Sequence, residues 1–346
     1  METSALGEHV IRSLEAKMKH LGIVGLSCTL ALTVASENSL GQVVDPNYPS
    51  KPVTLIVPYS GGVSLDTEVR LYTQSILKNT GKQFIQDYKP GAGTSIGTAY
   101  VAKAVPDGYT LLAVSGAFTF SVLVYKDLVY DNVKDFSPIS LLSTRAALLV
   151  ANPNSPYKNM AEYIAYSKAH PEAINYATSG IGTPSHLAGA LLHNQIATKV
   201  TFVHYKDSSQ RNLDILNGRV DVTQGAITIM GLIRSGKLRA LGVTSSQRMQ
   251  IAKDIPTIAE QGVPGYESSS WTGISGPARL PPAIVGKLNA MFVAATKDPI
   301  VVQKLVANDG ATMVGNTSEQ FSQFIATDLN KWRKLIAETG TKIEGN

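Results

Sequence analysis

Twice in this chain a short apolar run ends in a glycine-rich turn and gives way to a helical pattern. Val53-Thr-Leu-Ile-Val57 runs into Pro58-Tyr-Ser-Gly-Gly-Val-Ser-Leu-Asp66, and Ile174-Asn-Tyr-Ala177 runs into Thr178-Ser-Gly-Ile-Gly-Thr-Pro-Ser-His186. A strand that ends in a glycine turn at a helix start aims backbone N–H groups and the positive end of a helix dipole at one point in space. Two such turns, far apart in the chain, suit the gripping of one small anion from both sides. That is the geometry of a two-lobed binding protein.

Strand and helix signals alternate around these turns. After the first turn, Leu65, Val69, Tyr72 and Ile76 recur at helical spacing, and Gly81 suits the C-terminal cap. A strand at Phe84–Tyr88, a helix at Ile96–Ala104 and a strand at Tyr109–Ser115 follow. This order predicts an α/β fold with a largely parallel sheet. A second series starts near Ala146–Val150, with a helix at Met160–Ala169 and a strand at Ile174–Ala177. Thr183 is placed as N-cap with Pro184 at the first helical position. A strand over Val200–Tyr205, a helix over Ser209–Asn217, and strands over Arg219–Thr223 and Arg239–Thr244 complete it. Residues 245–282, rich in Gly, Pro and Ser, read as a long connection. Helices over Pro282–Thr296, Pro299–Asn308 and Ser318–Thr339 are expected to pack back on the first lobe. The chain crosses between lobes near 145–150 and again near 240–275. Residues 48–147 with 270–346 then form lobe 1, and 148–269 form lobe 2.

The N-terminus reads as a targeting segment. Lys17, Lys19 and His20 precede the apolar stretch Leu21–Ala35, with small residues at Ala35 and Ser36. Charged, apolar and small-residue regions in that order mark a secretory signal, here residues 1–36, and the stretch is short for a membrane span. The single cysteine, Cys28, lies inside it, so the exported chain is expected to lack disulfides. At 346 residues, 44% hydrophobic and 16% charged, the chain supports two cores. Its net charge of +5 is spread without basic runs, which leaves no nucleic-acid footprint.

Further landmarks point to one family. They are Tyr48-Pro-Ser-Lys-Pro-Val-Thr-Leu-Ile-Val-Pro58, Lys89-Pro-Gly-Ala-Gly93, Ala104-Val-Pro-Asp-Gly-Tyr-Thr-Leu-Leu112 and Tyr130-Asp-Asn-Val-Lys-Asp-Phe136. Ser179-Gly-Ile-Gly-Thr183 with His186-Leu-Ala-Gly189, Gly236–Ser245, Ile255–Tyr266 and Lys331-Trp332 follow in order. With these the chain resembles the Bug-type (TctC) periplasmic solute receptors of tripartite tricarboxylate transporters. The resemblance implies a Venus-flytrap fold of the type II periplasmic binding kind and a small carboxylate in the interlobe cleft. It also implies a periplasmic location, two membrane components of a transporter as partners, and no enzymatic activity. A monomer without cofactor or metal is expected. Two positions depart from the family pattern. Val63 stands where a second glycine is usual, and Gly225 stands where an acid is often found, which suggests a differently shaped pocket for a flatter or less cationic ligand.

The candidate ligand contacts follow from the turns and strand ends. Ser60, Gly62, Ser64 and Asp66 come from the first turn, with Asp66 equally suited to capping its helix. Thr178, Ser179, Gly180, Gly182, Thr183 and His186 come from the second. Ser115, Gly116 and Ala117 follow one strand; Phe118 beside them suits the core. Gln224 and Gly225 end another strand, and Gln224 offers an amide to a ligand oxygen. Two other functional classes remain open at this level. A periplasmic sensor would present the same ligand to a signalling partner. An exported hydrolase would use Ser95 in Gly93-Thr-Ser-Ile-Gly97, although no buried strand precedes that motif as a nucleophile elbow requires.

Overall fold

The computed structural model describes residues 45–340 except 63, 126, 182, 206 and 207. The expected signal segment, Cys28, Val63 and Gly182 therefore lie outside the described residues. Two mixed sheets carry the fold. The first contains β1 (Val53–Val57), β2 (Phe84–Tyr88), β3 (Thr110–Ser115), β4 (Phe136–Ala146), β10 (Ser269–Pro277) and β11 (Ala311–Met313), in the spatial order β11-β4-β10-β3-β1-β2. The second contains β5 (Leu148–Ala151), β6 (Asn175–Thr178), β7 (Thr201–His204), β8 (Val222–Gly225) and β9 (Arg239–Val243), in the order β7-β6-β8-β5-β9. The helices are α1 (Ser64–Thr80), α2 (Ser95–Ala102), α3 (Gly116–Val124), α4 (Met160–Ala169), α5 (Pro184–Gln195), α6 (Ser208–Leu216), α7 (Met230–Arg234), α8 (Pro282–Ala295), α9 (Pro299–Val302) and α10 (Ser318–Thr339).

Each sheet is parallel only in part. β2-β1-β3 and β7-β6-β8 are parallel trios, joined through helices as βα units require. β10 is antiparallel to both β3 and β4, and β5 is antiparallel to both β8 and β9. The largely parallel sheet expected from the alternation is thus corrected. β4 carries the chain out of the first sheet and β10 brings it back alongside, so these two must run in opposite directions. Only Ala147 separates β4 from β5. The two crossovers are stitched together at Thr244: its Oγ1 accepts the Ala147 N–H at 2.8 Å, and its carbonyl accepts the Ser268 N–H at 2.8 Å.

β10 lies inside the stretch read as a connection. Its residues, Ser-Ser-Trp-Thr-Gly-Ile-Ser-Gly-Pro, lack the apolar density of a core strand, yet Trp271 through Pro277 are buried. The small residues have a packing reason: a Cβ at Gly273 would collide with the Phe321 ring and the Ser140 carbonyl. The sheet accepts this strand because larger residues from neighbouring elements fill the space above it.

Both faces of the second sheet are covered. Along β5, Leu149 and Ala151 enter one core cluster and Leu148 and Val150 another, the alternation of a strand buried on both sides. The first sheet packs Ile56, Leu112, Val114 and Trp271, together with Phe118 of α3, against Phe321 and Ile325 of α10. Helix α10 starts with a capping box, in which Thr317 and Gln320 exchange hydrogen bonds, and ends at Gly340 in the left-handed region (φ 60°). At 22 residues it is about 33 Å long. Its far end places Trp332 and Leu335 in the second sheet's core cluster, and Asn194 of α5 donates to Glu338 at 2.8 Å. The last helix therefore straps both lobes rather than the first alone.

Candidate functional site

Between the two sheets lies a cavity of about 700 Å³, walled by loops at strand ends from both. From the first lobe come Tyr59 and Ser64 of the first glycine turn, Ser115, Gly116 and Ala117 at the start of α3, and Arg145 at the end of β4. From the second come Ser179, Thr183 and Ser185 of the second turn, Arg211 of α6, and Gln224 at the end of β8. The crossovers themselves, Ala146, Ala147 and Ser268–Trp271, floor the space. Ligands of open α/β sheets bind in such crevices beyond strand ends, because chain connections diverge there and leave room.

Seven of the expected residues border this cavity: Ser64, Ser115, Gly116, Ala117, Ser179, Thr183 and Gln224. Gly182 lies outside the described residues, and the structure places the remaining ones elsewhere. Ser60 is exposed and does not line the cavity. Gly62 (φ 87°) spends its N–H on the Asp66 carboxylate at 2.8 Å, which closes the turn on its own helix. Asp66 is buried and also accepts from Tyr88 at 2.9 Å and Arg70 at 3.1 Å. Burial alone would raise its pKa, but the Gly62 N–H, the Tyr88 hydroxyl and the Arg70 charge together hold it below the usual carboxylate range. Of Asp66's two readings, capping and turn closure are what its contacts describe.

In the second turn, Thr178 is fully buried and bonds His204 Nδ1 at 2.7 Å. The Thr183 hydroxyl donates to the Gly180 carbonyl at 2.7 Å rather than capping α5. Gly180 (φ 128°) sustains this turn behind the cavity wall. Gly225 sits behind the wall as well, where an added Cβ would collide with Ile229.

His186 faces the sheet instead of the cavity: its ring meets Phe202 and His204 edge-on, with centroids 4.8 and 5.0 Å away. Burial, with the neighbouring His204, pulls its pKa down to about 4. His193, two turns further along α5, bonds the Tyr163 hydroxyl at 2.9 Å and the Thr198 hydroxyl at 2.7 Å, and burial brings it also to about 4. Both imidazoles are neutral in the folded protein, whereas unfolding returns them to about 6.5. Their folded-state pKa values lie below the unfolded ones, so stability is full above about pH 6.5 and falls as pH drops towards 4. Thermal melts between pH 8 and 4 are expected to show this decline, and His193→Gln to flatten part of it. An unchanged slope in that variant would contradict the assignment.

Several cavity residues carried no signal in the turns. Tyr59 bonds Ser115 at 3.0 Å across the first lobe. Arg145 donates Nη1 to Glu68 at 2.6 Å, while its Nε and Nη2 are buried without a partner. Arg211, 8% exposed, donates to Ser179 Oγ at 2.7 Å; its Nε is likewise buried and unpartnered. Phe120 lines the cavity two residues beyond Phe118, which packs on Phe136 in the core as expected. The chain's two tryptophans, Trp271 and Trp332, share one acceptor, Asp328, at 3.3 and 2.9 Å. Lys331-Trp332 stood among the family landmarks; the two arginines could have been found only by knowing which loops meet.

Ser95 opens α2 after a single 3-10 turn, not after a strand, and its hydroxyl accepts from Tyr130 at 3.2 Å. Among the described residues, no group of three or more His, Cys, Asp or Glu is placed to hold a metal ion, and no helix is long and apolar enough to cross a membrane.

Two α/β lobes joined by paired crossovers around one cavity define a solute-binding protein of the periplasmic type. Comparison makes the family specific: residues 69–341 match the tripartite tricarboxylate transporter family receptor (TctC), and the chain belongs to that family. Protein BugT of Bordetella pertussis is 30% identical over 327 residues, covering 94% of this chain and all of that one. The solved structure of R. palustris Rpa4515 with adipate is 30% identical, covers 85% of this chain and 99% of its own, and superposes with a TM-score of 0.68. MatC (Rpa3494) from Rhodopseudomonas palustris with bound malate is 29% identical, covers 84% and 100%, and gives 0.64.

Proposed function

We propose that this protein is an exported, non-enzymatic receptor that captures a small organic carboxylate in the interlobe cavity and presents it to membrane components of a tripartite tricarboxylate-type transporter. The observation that carries this reading is the cavity itself, bordered by both glycine turns, by the two crossovers and by two guanidiniums with buried, unpartnered N–H groups. The adipate and malate held by similar proteins support the ligand class. In this reading lobe 1 is residues 48–147 with 270–346, and lobe 2 is 148–269. Ser64, Ser115, Gly116, Ala117, Ser179, Thr183 and Gln224 contact the ligand. The lobes close about Ala146-Ala147 and Thr244–Ser268, so that both turns meet the carboxylate and no bond is broken.

The test is a thermal-shift screen of protein refolded to strip bound ligand. A carboxylate at a hundredfold over its dissociation constant stabilises by about 2.7 kcal/mol, which raises the melting temperature by roughly 5 °C. The matching amide is expected to give no shift. A panel in which no carboxylate shifts the melt would contradict the reading.

A further inference from the structure

The charges around the cavity do not cancel evenly. On the first lobe, Arg145 is met by Glu68 at 2.6 Å, and Asp328 is met by Lys331 at 2.9 Å. Asp309 is exposed at the border. On the second lobe, Arg211 forms no ion pair with an acid among the described residues; its contacts are the Ser179 hydroxyl at 2.7 Å and the Asn212 side-chain oxygen at 3.4 Å. A guanidinium keeps its charge at any ordinary pH and presents five donors. Buried with Nε unpartnered, it is an incomplete site for an anion.

The facing wall has the opposite character. Phe120 lies against Trp332, with ring centroids 5.0 Å apart, and Trp271 lies beside them. An indole has one donor, and both tryptophans spend theirs on Asp328. Both indoles are 3% exposed, so the apolar surface this wall offers a ligand is chiefly the half-buried Phe120 ring, backed by the indoles. Arg145 borders the same wall, and its remaining N–H groups suit a neutral oxygen. A second carboxylate placed there would share one guanidinium with Glu68 and be repelled by it.

From this asymmetry we infer that Arg211 anchors the ligand's carboxylate and that the ligand is a monocarboxylate with a flat, apolar body lying against Phe120, with Trp271 and Trp332 behind that ring. The inference rests on the carboxylate-receptor reading above and narrows it. It sets this chain apart from the adipate and malate of the similar structures, each of which brings a second acidic group.

Calorimetric titration of the refolded protein with benzoate, benzamide, adipate and malate tests it. Benzoate is expected to bind, benzamide to fail, and the two dicarboxylates to bind at least about tenfold more weakly, because a second carboxylate would be buried unpaired. Arg211→Gln is expected to weaken benzoate about 30-fold or more, with the ligand-free melting temperature retained. Arg211→Lys keeps the charge without the fork; it is expected to fall between wild type and Arg211→Gln, and it serves alone should the glutamine variant not fold. Adipate or malate as the tightest ligand, or unchanged affinity in the arginine variants, would overturn the inference while leaving the receptor reading standing. Failure of every carboxylate to bind the wild type would overturn both.

Discussion

Replacing Glu68 by alanine should destabilise the protein by about 3–5 kcal/mol, the range for stranding one member of a buried ion pair. Glu68 is 1% exposed, in helix α1 directly behind the first glycine turn. Its two oxygens accept from Tyr72 at 2.8 Å, from Arg145 at 2.6 Å, from Thr272 at 2.7 Å and from the Ser143 hydroxyl. One carboxylate thereby ties α1 to β4 and β10, the two strands that carry the crossovers. Without it, a largely buried guanidinium and three hydroxyls lose their acceptor at once. Urea unfolding should show the loss directly, and the melting temperature should fall by roughly 10 °C. Glu68→Gln keeps an acceptor and removes the charge, so an intermediate loss is expected. A loss in the alanine variant below about 1 kcal/mol would mean that Arg145 finds compensation elsewhere.

The second large effect is expected at Asp328, for stability and binding together. Its carboxylate, 6% exposed, accepts from Thr119 at 2.7 Å and from both indoles, and pairs with Lys331. Asp328→Ala leaves two buried indole N–H groups without partners and turns the Thr119 hydroxyl back to the Gly116 carbonyl at 3.0 Å, at an expected cost of about 3 kcal/mol. It also releases the rings that form the apolar side of the cavity. Because Trp271 and Trp332 are the chain's two tryptophans, intrinsic fluorescence reports on this wall alone. The emission of the variant should shift to the red as the indoles hydrate, and carboxylate affinity should fall with it. Asp328→Asn retains one acceptor oxygen and should recover part of both. Native emission together with native affinity in the alanine variant would contradict this account of the wall.

These two networks show where sequence reasoning reaches and where it stops. The βα units were legible because each obeys a local rule: Val53–Val57 is an apolar run, α1 repeats apolar residues near 3.6, and Pro184 opens α5 where a proline is tolerated. The turns that border the cavity were legible for the same reason. β10 was not, because it is a strand of serines and glycines whose burial comes in large part from Phe321, which arrives from a helix more than forty residues further along the chain. Helix α3 was also missed, since it opens on Gly116 directly at the end of β3, and Ser115 at its N-cap position turns its hydroxyl to Tyr59 instead of capping.

The site divides along the same line. Ser64, Ser115, Ser179 and Gln224 were marked by position after strands, a local property. Gly62, Asp66, Thr178 and His186 were marked by the same rule, but the polar groups of the first three are met by partners within their own lobe, and the His186 ring packs on Phe202. Arg145 and Arg211 have no local mark at all. One ends a strand and the other sits on a helix face, where charged residues are ordinary. Only the meeting of two sheets turns them toward a shared space, and that meeting is set by contacts far apart in the chain, such as Ala147 with Thr244.

The central claim is that the cavity between the sheets holds the ligand's carboxylate. A crystal structure of the complex with the tightest carboxylate from the screen tests it most directly. The ligand is expected in that cavity, its carboxylate beside Arg211 and Ser179 and its body touching residues of the first lobe, with the two sheets bridged. A ligand bound elsewhere, for example in the groove beside Phe136, Leu280 and Ser318, or one that touches a single lobe, would contradict it.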